Sequence, residues 1–405
     1  MQKSFGRSYK ANQSKKIKQP DKLKILVVTE TPPGTANGFG AMQQNLHRSL
    51  SQKIIFTDGD FKEFGEKKGY IFGQVPYHRG RKNLFKLLLG KIPEWRGIYS
   101  LKWLAQNVPE EFDIVISFVY SPCTLLWGDW ISKKKNSKHV IHIADHCDFF
   151  LQRKCLAAIS RADSLLVISK KMKMLYEKNT QRKDIEVFHN FPDNRCFPKK
   201  EMPVQYDNTF SHSSPLIVTF IGGLYDSLHT QSIEDILLVI SQLRDQGVPI
   251  EMHLYGARHP DSFLENEIGE KGVFHHGLVM PLEAKYKIMK NSDAFVIPSS
   301  FDPVINKDYQ YSFPSKLTEL IASAKPVVYY GPANTAINDF LVDIEGATLI
   351  TKKSIDLLAE NFRSLLRNYA QRKTGAVQGS TKIKTKHNMD ATLARFSNHL
   401  SKISS

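Results

Sequence analysis

The sequence has few cysteines and no long apolar run. Its four cysteines among 405 residues form no Cys-x-x-Cys pair, and their spacings match no common metal-binding pattern. We therefore expect reduced thiols, with no disulfide framework and no zinc site. No apolar stretch approaches the roughly 20 residues of a membrane-spanning helix, and the N-terminus lacks the apolar segment of a secretory signal. These absences predict a cytoplasmic protein.

Acidic residues are also scarce relative to basic ones. Aspartate and glutamate number 40 against 56 lysines and arginines, which gives a formal net charge of +16. A surplus of this size favours anionic partners such as nucleotides, lipid headgroups or nucleic acid. Part of it lies in residues 1–22, which we interpret as a basic disordered tail, and since no recognition module is found, we expect no nucleic-acid partner.

Short buried-strand patterns alternate with amphipathic helical patterns along the first half of the chain. LKILVVTE at 23–30 leads into a glycine-rich turn and a helical pattern, and similar apolar runs recur at 113–120, 138–145 and 162–169. This order is typical of a parallel sheet with helices on its faces. Residues 198–215 are polar, interrupted by prolines and without periodicity, and they predict an interdomain linker.

The same alternation restarts after this linker. LIVTFIGG at 216–223 predicts a strand that ends in two glycines. The pattern predicts an N-terminal domain at 23–197, a C-terminal domain at 216–372, and a final helix at 385–402 that packs back on the first domain. Because ligand crevices lie at the carboxyl ends of parallel strands, two such domains facing each other would form one central cleft.

The segment FPSKLTELIASAKPVV at 313–328 contains the most informative helical pattern, predicted at 315–325. At 100° per residue its large apolar residues fall on one side, whereas Ser315, Lys316 and Glu319 fall on the other. A lysine in the first turn of a helix lies at the positive end of the helix dipole, which is unfavourable unless an anion is near. The pattern favours a phosphate ligand, although a solvated Lys–Glu pair on a helix surface has the same spacing.

A second basic pattern lies in the first domain. Residues 81–95, RKNLFKLLLGKIPEW, interleave basic side chains with leucines, a phenylalanine and a tryptophan. The pattern fits a peripheral contact with the cytoplasmic face of a membrane, and equally a helix that covers the sheet and leaves its lysines in water. TDGD at 57–60 resembles a metal-binding Asp-x-Asp motif but is interpreted as a surface turn.

Several motifs, taken in order, resemble the GT-B glycosyltransferases and specifically glycosyltransferase family 4. ADSLLVISKKMKMLYEK with IEVFHNFPDNRCF is similar to the segment that closes the first domain of that family. MHLYGAR and VFHHGLVMPLEAKYKIMKNSDAFVIPSS are similar to the middle of its nucleotide-binding domain, and FPSKLTELIASAKPVV to its donor helix. The resemblance covers roughly residues 23–370. It implies an α/β fold of two tandem Rossmann-like domains whose parallel sheets face a central cleft.

The resemblance also implies an activity and its residues. It implies retaining transfer of a sugar from a nucleotide-diphosphate sugar to a hydroxyl acceptor, without a metal or other cofactor. The acceptor would be a sugar or a lipid-linked molecule in polysaccharide or glycolipid assembly. Glu319 would accept hydrogen bonds from the ribose hydroxyls, and Ser315 and Lys316 would face the diphosphate. The donor-binding residues implied are Gly222, Gly223, His229, Arg258, Ser315, Lys316, Leu317 and Glu319.

The first domain supplies candidates for the acceptor side. Asp145 and His146 lie at the carboxyl end of a predicted strand, where the family places an acceptor-handling residue, and they are the catalytic candidates. Gly38 and Gly40 lie in the predicted loop that would border both the diphosphate and the acceptor.

The sequence departs from the family pattern at the donor site. Tyr311 stands where the family has an acidic residue eight positions before Glu319, and Asp302 and Asp308 are candidates to replace it. The loop GGLYDSLHTQ at 222–231 lacks the arginine and lysine that many members carry for the phosphates. These departures leave open a non-catalytic sugar-nucleotide-binding protein of the same fold. A GT-B sugar-nucleotide epimerase, which shares the two-domain plan, is a second alternative.

Overall fold

The computed structural model describes most of both predicted domains. The described residues are 23–29, 38–47, 52–56, 111–119, 121–199, 214–224, 229–257, 272–279 and 282–405. The predicted basic tail at 1–22, the basic segment at 81–95 and TDGD at 57–60 lie outside them, as do Arg258 and most of the predicted linker.

The first sheet has six parallel strands in the order β2-β1-β3-β4-β5-β6. They are β1 (Ile25–Thr29), β2 (Gln52–Phe56), β3 (Ile114–Val119), β4 (Lys138–Ile143), β5 (Ser164–Val167) and β6 (Ile185–Val187). Register is regular, with Ile25 opposite Ile114 and Ile116 opposite Val140. β1 and β3 are buried along their whole length, as expected for parallel strands covered on both faces.

The helices around this sheet are α1 (Gly38–His47), α2 (Pro122–Lys135), α3 (Arg153–Arg161) and α4 (Lys170–Thr180), with 3₁₀ turns at Asp148–Leu151 and Asn194–Cys196. Local sequence fixes their ends. The Ser169 hydroxyl caps α4 by accepting from the Met172 amide at 3.1 Å. Gly38 and Gly40 were predicted to lie in a loop, but the structure places both in the first turn of α1, so the helix begins earlier than its polar-apolar pattern indicated.

The second sheet has six parallel strands in the order β12-β11-β10-β7-β8-β9. They are β7 (Leu216–Ile221), β8 (Ile250–Tyr255), β9 (Val273–His275), β10 (Ala294–Pro298), β11 (Val327–Tyr330) and β12 (Ala347–Ile350). The strand order reverses between β7 and β10, which is the doubly wound arrangement of nucleotide-binding domains. The crevice beyond the carboxyl ends of β7 and β10 is therefore where a ligand is expected.

The second sheet is followed and covered by further helices. They are α5 (Thr230–Asp245), α6 (Leu282–Asn291), α7 (Pro303–Tyr309), α8 (Leu317–Ala322), α9 (Ala336–Leu341), α10 (Ile355–Arg367), α11 (Tyr369–Lys386) and α12 (Met389–Ser404). α5 and α10 pack a continuous apolar core against β7 and β8, in which Ile236, Val218 and Phe362 are fully buried. No helix in the described part of the chain combines the length and apolarity that a bilayer crossing requires.

The C-terminal helices differ from the prediction at 385–402. No helix was predicted in the polar, glycine-containing stretch before it, but that stretch forms α11, and the last helix begins at Met389. Close contact explains the glycines: a β-carbon on Gly379 would lie 2.5 Å from the Glu345 carbonyl oxygen. In α12, Phe396 packs on Phe188 of the first domain with ring centroids 5.6 Å apart.

Candidate active site

A glycine turn and a histidine lie at the carboxyl end of β7. Gly222 and Gly223 follow the strand directly, and the Nε2–H of His229 donates to the Gly223 carbonyl oxygen at 2.9 Å. The turn is held from the neighbouring strand, since the Gly222 amide donates to the Tyr255 carbonyl at 2.8 Å. Gly256 must be a glycine, because a β-carbon there would lie 1.5 Å from the Gly222 carbonyl oxygen. Burial lowers the pKa of His229, which is therefore neutral at pH 7.

The predicted donor helix is shorter than its sequence pattern. It was predicted at 315–325, but α8 covers Leu317–Ala322, and Lys316 is its N-cap residue. Ser315 and Lys316 lie in the turn before the helix, whereas Leu317 is completely buried in the core. The turn is fixed by the first domain: the Asn190 side-chain amide donates to the Ser315 carbonyl, and the Thr318 hydroxyl donates to the Asn190 carbonyl at 3.2 Å.

Lys316 and His229 lie close enough to influence one another. The pKa of Lys316 is lowered mainly by burial and further by the ammonium of Lys285, while Glu319 opposes the shift. The Lys316 charge also contributes to lowering the pKa of His229. The structure thus brings the glycine turn of β7 and the start of α8 together, as a nucleotide-binding crevice requires.

The spacing of Glu319 indicated that it lies on a solvent-exposed polar face of the helix. The structure instead buries its side chain. Its side chain is 9% exposed and accepts two hydrogen bonds from the Lys285 ammonium of α6, at 2.9 and 2.8 Å. Because this one cation bonds both carboxylate oxygens, Glu319 is held in a single orientation. Lys285 was not singled out in the sequence, where it is one of three lysines at 285–290 with a spacing typical of a solvated helix face.

The acceptor-side candidates lie at the carboxyl end of β4. Asp145 accepts from the Ser312 hydroxyl at 2.6 Å and from the His146 amide at 3.0 Å, and burial raises its pKa. His146 is buried, its Nδ1 lies 3.1 Å from the Tyr176 hydroxyl, and burial lowers its pKa. The Asp145–Ser312 bond joins the first domain to the segment that precedes α8, so these candidates face the donor domain.

The two aspartates considered as replacements for the missing acidic residue have different surroundings. Asp302 caps α7 by accepting from the Val304 amide at 2.8 Å, so its carboxylate has a structural role. Asp308 lies beside His146 and Asp148, and the ligand atoms of these three residues are within 4.8 Å of one another.

This trio has the chemistry of a metal site, and no other such group is found among the described residues. Asp148 is also bonded by the Lys307 ammonium, a cation that already lies beside the carboxylate. The expectation that the reaction proceeds without a metal stays a prediction.

The predicted site residues thus fall into two groups. His229, Gly223, Lys316 and Glu319 are near one another on the second domain, and Asp145 with His146 forms a second group on the first domain. Gly38 and Gly40 lie in the first turn of α1. Lys285, Ser312 and Asn190 were missed because each acts through a contact with a residue that is distant in sequence.

Comparisons with known proteins agree with the two-sheet fold. Residues 215–368 match the family described as "Glycosyl transferases group 1". The structure of HepE from Anabaena in complex with UDP-glucose is similar, with 14% identity and a TM-score of 0.67 over 94% of this chain and 100% of that one. Sucrose-phosphate synthase from Thermosynechococcus elongatus is similar with 12% identity and a TM-score of 0.68, over 94% and 98% of the two chains.

A glycosyltransferase from Rickettsia africae is also similar, with 13% identity and a TM-score of 0.64 over 94% of this chain and 98% of that one. The search of curated proteins finds no match. The structural similarities extend over both sheets and confirm the predicted two-domain fold, while membership of family 4 in particular stays a prediction. The chain therefore has the GT-B fold, and its C-terminal domain, at 215–368, matches the group 1 glycosyltransferases.

Proposed function

We propose that this glycosyltransferase transfers a sugar, with retention of configuration, from a nucleotide-diphosphate sugar to a hydroxyl acceptor in polysaccharide or glycolipid assembly. The observation that carries the proposal is that Lys316 interacts electrostatically with both Glu319 and His229, and His229 is bonded to the glycine turn after β7. HepE, which shares the fold, has been crystallised with UDP and with UDP-glucose, and this supports a nucleotide sugar as the donor.

Each donor-site residue has a role that follows from its chemistry. Glu319 is a carboxylate that can accept hydrogen bonds from both hydroxyls of a ribose diol. Lys316 supplies positive charge where the diphosphate leaves, which is the part of the reaction at which negative charge builds up. We propose that this fixed charge takes the place of a metal, with no other cofactor.

Asp145 and His146 are proposed to position the acceptor hydroxyl at the end of β4. In a retaining reaction on one face of the sugar, the leaving phosphate itself can remove the acceptor proton, so a strong protein base is not needed. The hydrogen bond from Ser312 to Asp145 supports this role, because it holds the Asp145 carboxylate against the donor domain. We further propose a cytoplasmic enzyme with a sugar or lipid-linked acceptor, in contact with the membrane surface through residues 81–95.

The proposal is tested by ligand-induced thermal stabilisation with a panel of nucleotide sugars. A ligand present at 100 times its Kd should add about 2.7 kcal/mol to the free energy of unfolding, which is a measurable rise in Tm. Lys316→Met should abolish most of this rise, whereas the exposed Lys352→Met should retain it.

Absence of stabilisation by every nucleotide sugar would contradict the proposal. For the binding ligand, nucleoside diphosphate should be released only when an acceptor is added. Conversion of the sugar without an acceptor would instead indicate an epimerase, and binding without any turnover a non-catalytic protein.

A further inference from the structure

Lys285 binds the Glu319 carboxylate, to which the proposed function assigns the ribose hydroxyls. Its ammonium donates to both oxygens of Glu319, and the side chains of the two residues are only 13% and 9% exposed. A buried pair of this kind carries a large desolvation cost, so it is unlike the exposed lysine–carboxylate pairs that contribute little. Lys285 therefore belongs to the crevice and not to the outer face of α6.

The charges around this pair are unbalanced. The Lys285 ammonium is near enough to disfavour the charge of Lys316, and Glu319 is the one carboxylate that acts on Lys316 among the described residues. Two cations therefore face a single anion in a partly buried place. Such a cluster favours a further anionic group, because the interaction of buried charges is screened less than at the surface.

The ribose diol and the lysine both donate to the same two oxygens. A carboxylate offers about four acceptor positions, so hydroxyl groups can bind while the ammonium keeps at most part of its contact. The Lys285 ammonium has three N–H donors. Any of them that the ribose hydroxyls displace from Glu319 need a new acceptor in the same crevice. The nearest anionic group that the proposed function provides is the diphosphate.

We propose that Lys285 is a donor-binding residue, whose ammonium turns from Glu319 to the diphosphate when the ribose binds, and so supplies the positive charge that the loop at 222–231 does not. The inference rests on the proposed function, since it requires a nucleoside-diphosphate ligand. It assigns a specific consequence to Lys285: recognition of the phosphates rather than of the nucleoside.

The experiment compares nucleoside diphosphates with nucleosides by calorimetry. Wild type is screened with UDP, ADP and GDP, and the tightest of these is then measured beside its own nucleoside for Lys285→Met, Lys285→Arg and Lys287→Met. Lys287 is an exposed lysine on the same helix and is the matched control. Thermal unfolding of each variant checks that it is folded.

We expect Lys285→Met to weaken binding of the diphosphate at least tenfold and binding of the nucleoside less than threefold. The log Kd for the diphosphate should also depend less steeply on the log of the salt concentration. Lys285→Arg should recover most of the affinity, and Lys287→Met should match wild type. Equal weakening of both ligands, or tighter binding of both, would overturn the inference, because Lys285 would then only orient or block Glu319. If wild type binds none of the diphosphates, the proposed function fails as well, so the two failures are distinguishable.

Discussion

The Lys285–Glu319 pair predicts a large coupling energy in the stability of the C-terminal domain. Glu319→Leu leaves a lysine ammonium that is 13% exposed without its carboxylate, and Lys285→Met leaves a carboxylate that is 9% exposed without its cation. Breaking a fully buried pair costs about 3–5 kcal/mol, and the remaining exposure of both side chains reduces our expectation to about 2–4 kcal/mol for each single change. The double variant should recover most of this loss, because well-packed apolar residues replace such pairs at little cost.

The measurement is a double-mutant cycle in urea. All four tryptophans, Trp95, Trp103, Trp127 and Trp130, precede the C-terminal domain, so their fluorescence follows the first domain while far-UV circular dichroism follows both. We expect a coupling energy of about 2 kcal/mol or more, seen mainly by circular dichroism.

The matched control is the exposed Arg367–Glu360 pair of α10, whose side chains are 62% and 56% exposed. Its cycle should give less than about 0.5 kcal/mol. A similarly small value for Lys285 and Glu319 would refute the reasoning, since it would mean that solvent screens the pair. A Glu319 variant can test donor binding only after this stability loss has been measured, because the loss alone would weaken binding.

Two further predictions concern stability away from the crevice. Lys373 is 3% exposed, and burial lowers its pKa from the ordinary 10.5 to about 7, so the unfolded state binds more protons between these values. The contribution of Lys373 to the free energy of unfolding should therefore rise with pH by up to about 1.4 kcal/mol per pH unit. Lys373→Met should be more stable than wild type at low pH and should lose this advantage between pH 7 and pH 10. A difference in urea midpoints that does not change with pH would contradict this prediction. Gln181 is the C-cap residue of α4 and has a φ of 57°, a conformation that favours glycine. Gln181→Gly should therefore stabilise the protein by about 0.5–1 kcal/mol, whereas Lys178→Gly, inside the helix, should destabilise it by a similar amount. A loss of stability in Gln181→Gly would be inconsistent with backbone strain.

Several strands of both sheets could be predicted closely because their signal is local. Parallel strands covered on both faces are continuous apolar runs, and β1 and β3 lie within one or two residues of the runs at 23–30 and 113–120. The glycines after β7 were informative for the same reason, since a turn at the end of a strand restricts the residue types that follow it.

The surroundings of Glu319 could not be predicted, because they depend on contacts between distant segments. Helical periodicity correctly placed Leu317 in the core and Glu319 on the other side of the helix. It could not show that α6 covers that other side, since Lys285 has the same sequence context as the exposed Lys287 and Lys290. The pairing of Lys285 with Glu319 depends on how α6 packs, which no local pattern determines.

The structure gives a reason for the tyrosine at position 311 other than loss of transferase activity. Its ring packs against His146 with centroids 4.9 Å apart, and its carbonyl oxygen accepts from the Ser169 hydroxyl at 2.8 Å. Asp148 and Asp308 already place negative charge here, since both raise the pKa of Tyr311 in addition to the main effect of burial.

An acidic side chain at 311 would add a third carboxylate against these two aspartates, and the repulsion would act directly between the two domains. A neutral aromatic ring avoids that repulsion and keeps the first domain in contact with the turn before α8. The departure from the family pattern therefore preserves the position of Ser315 and Lys316, and it does not by itself argue against transfer activity.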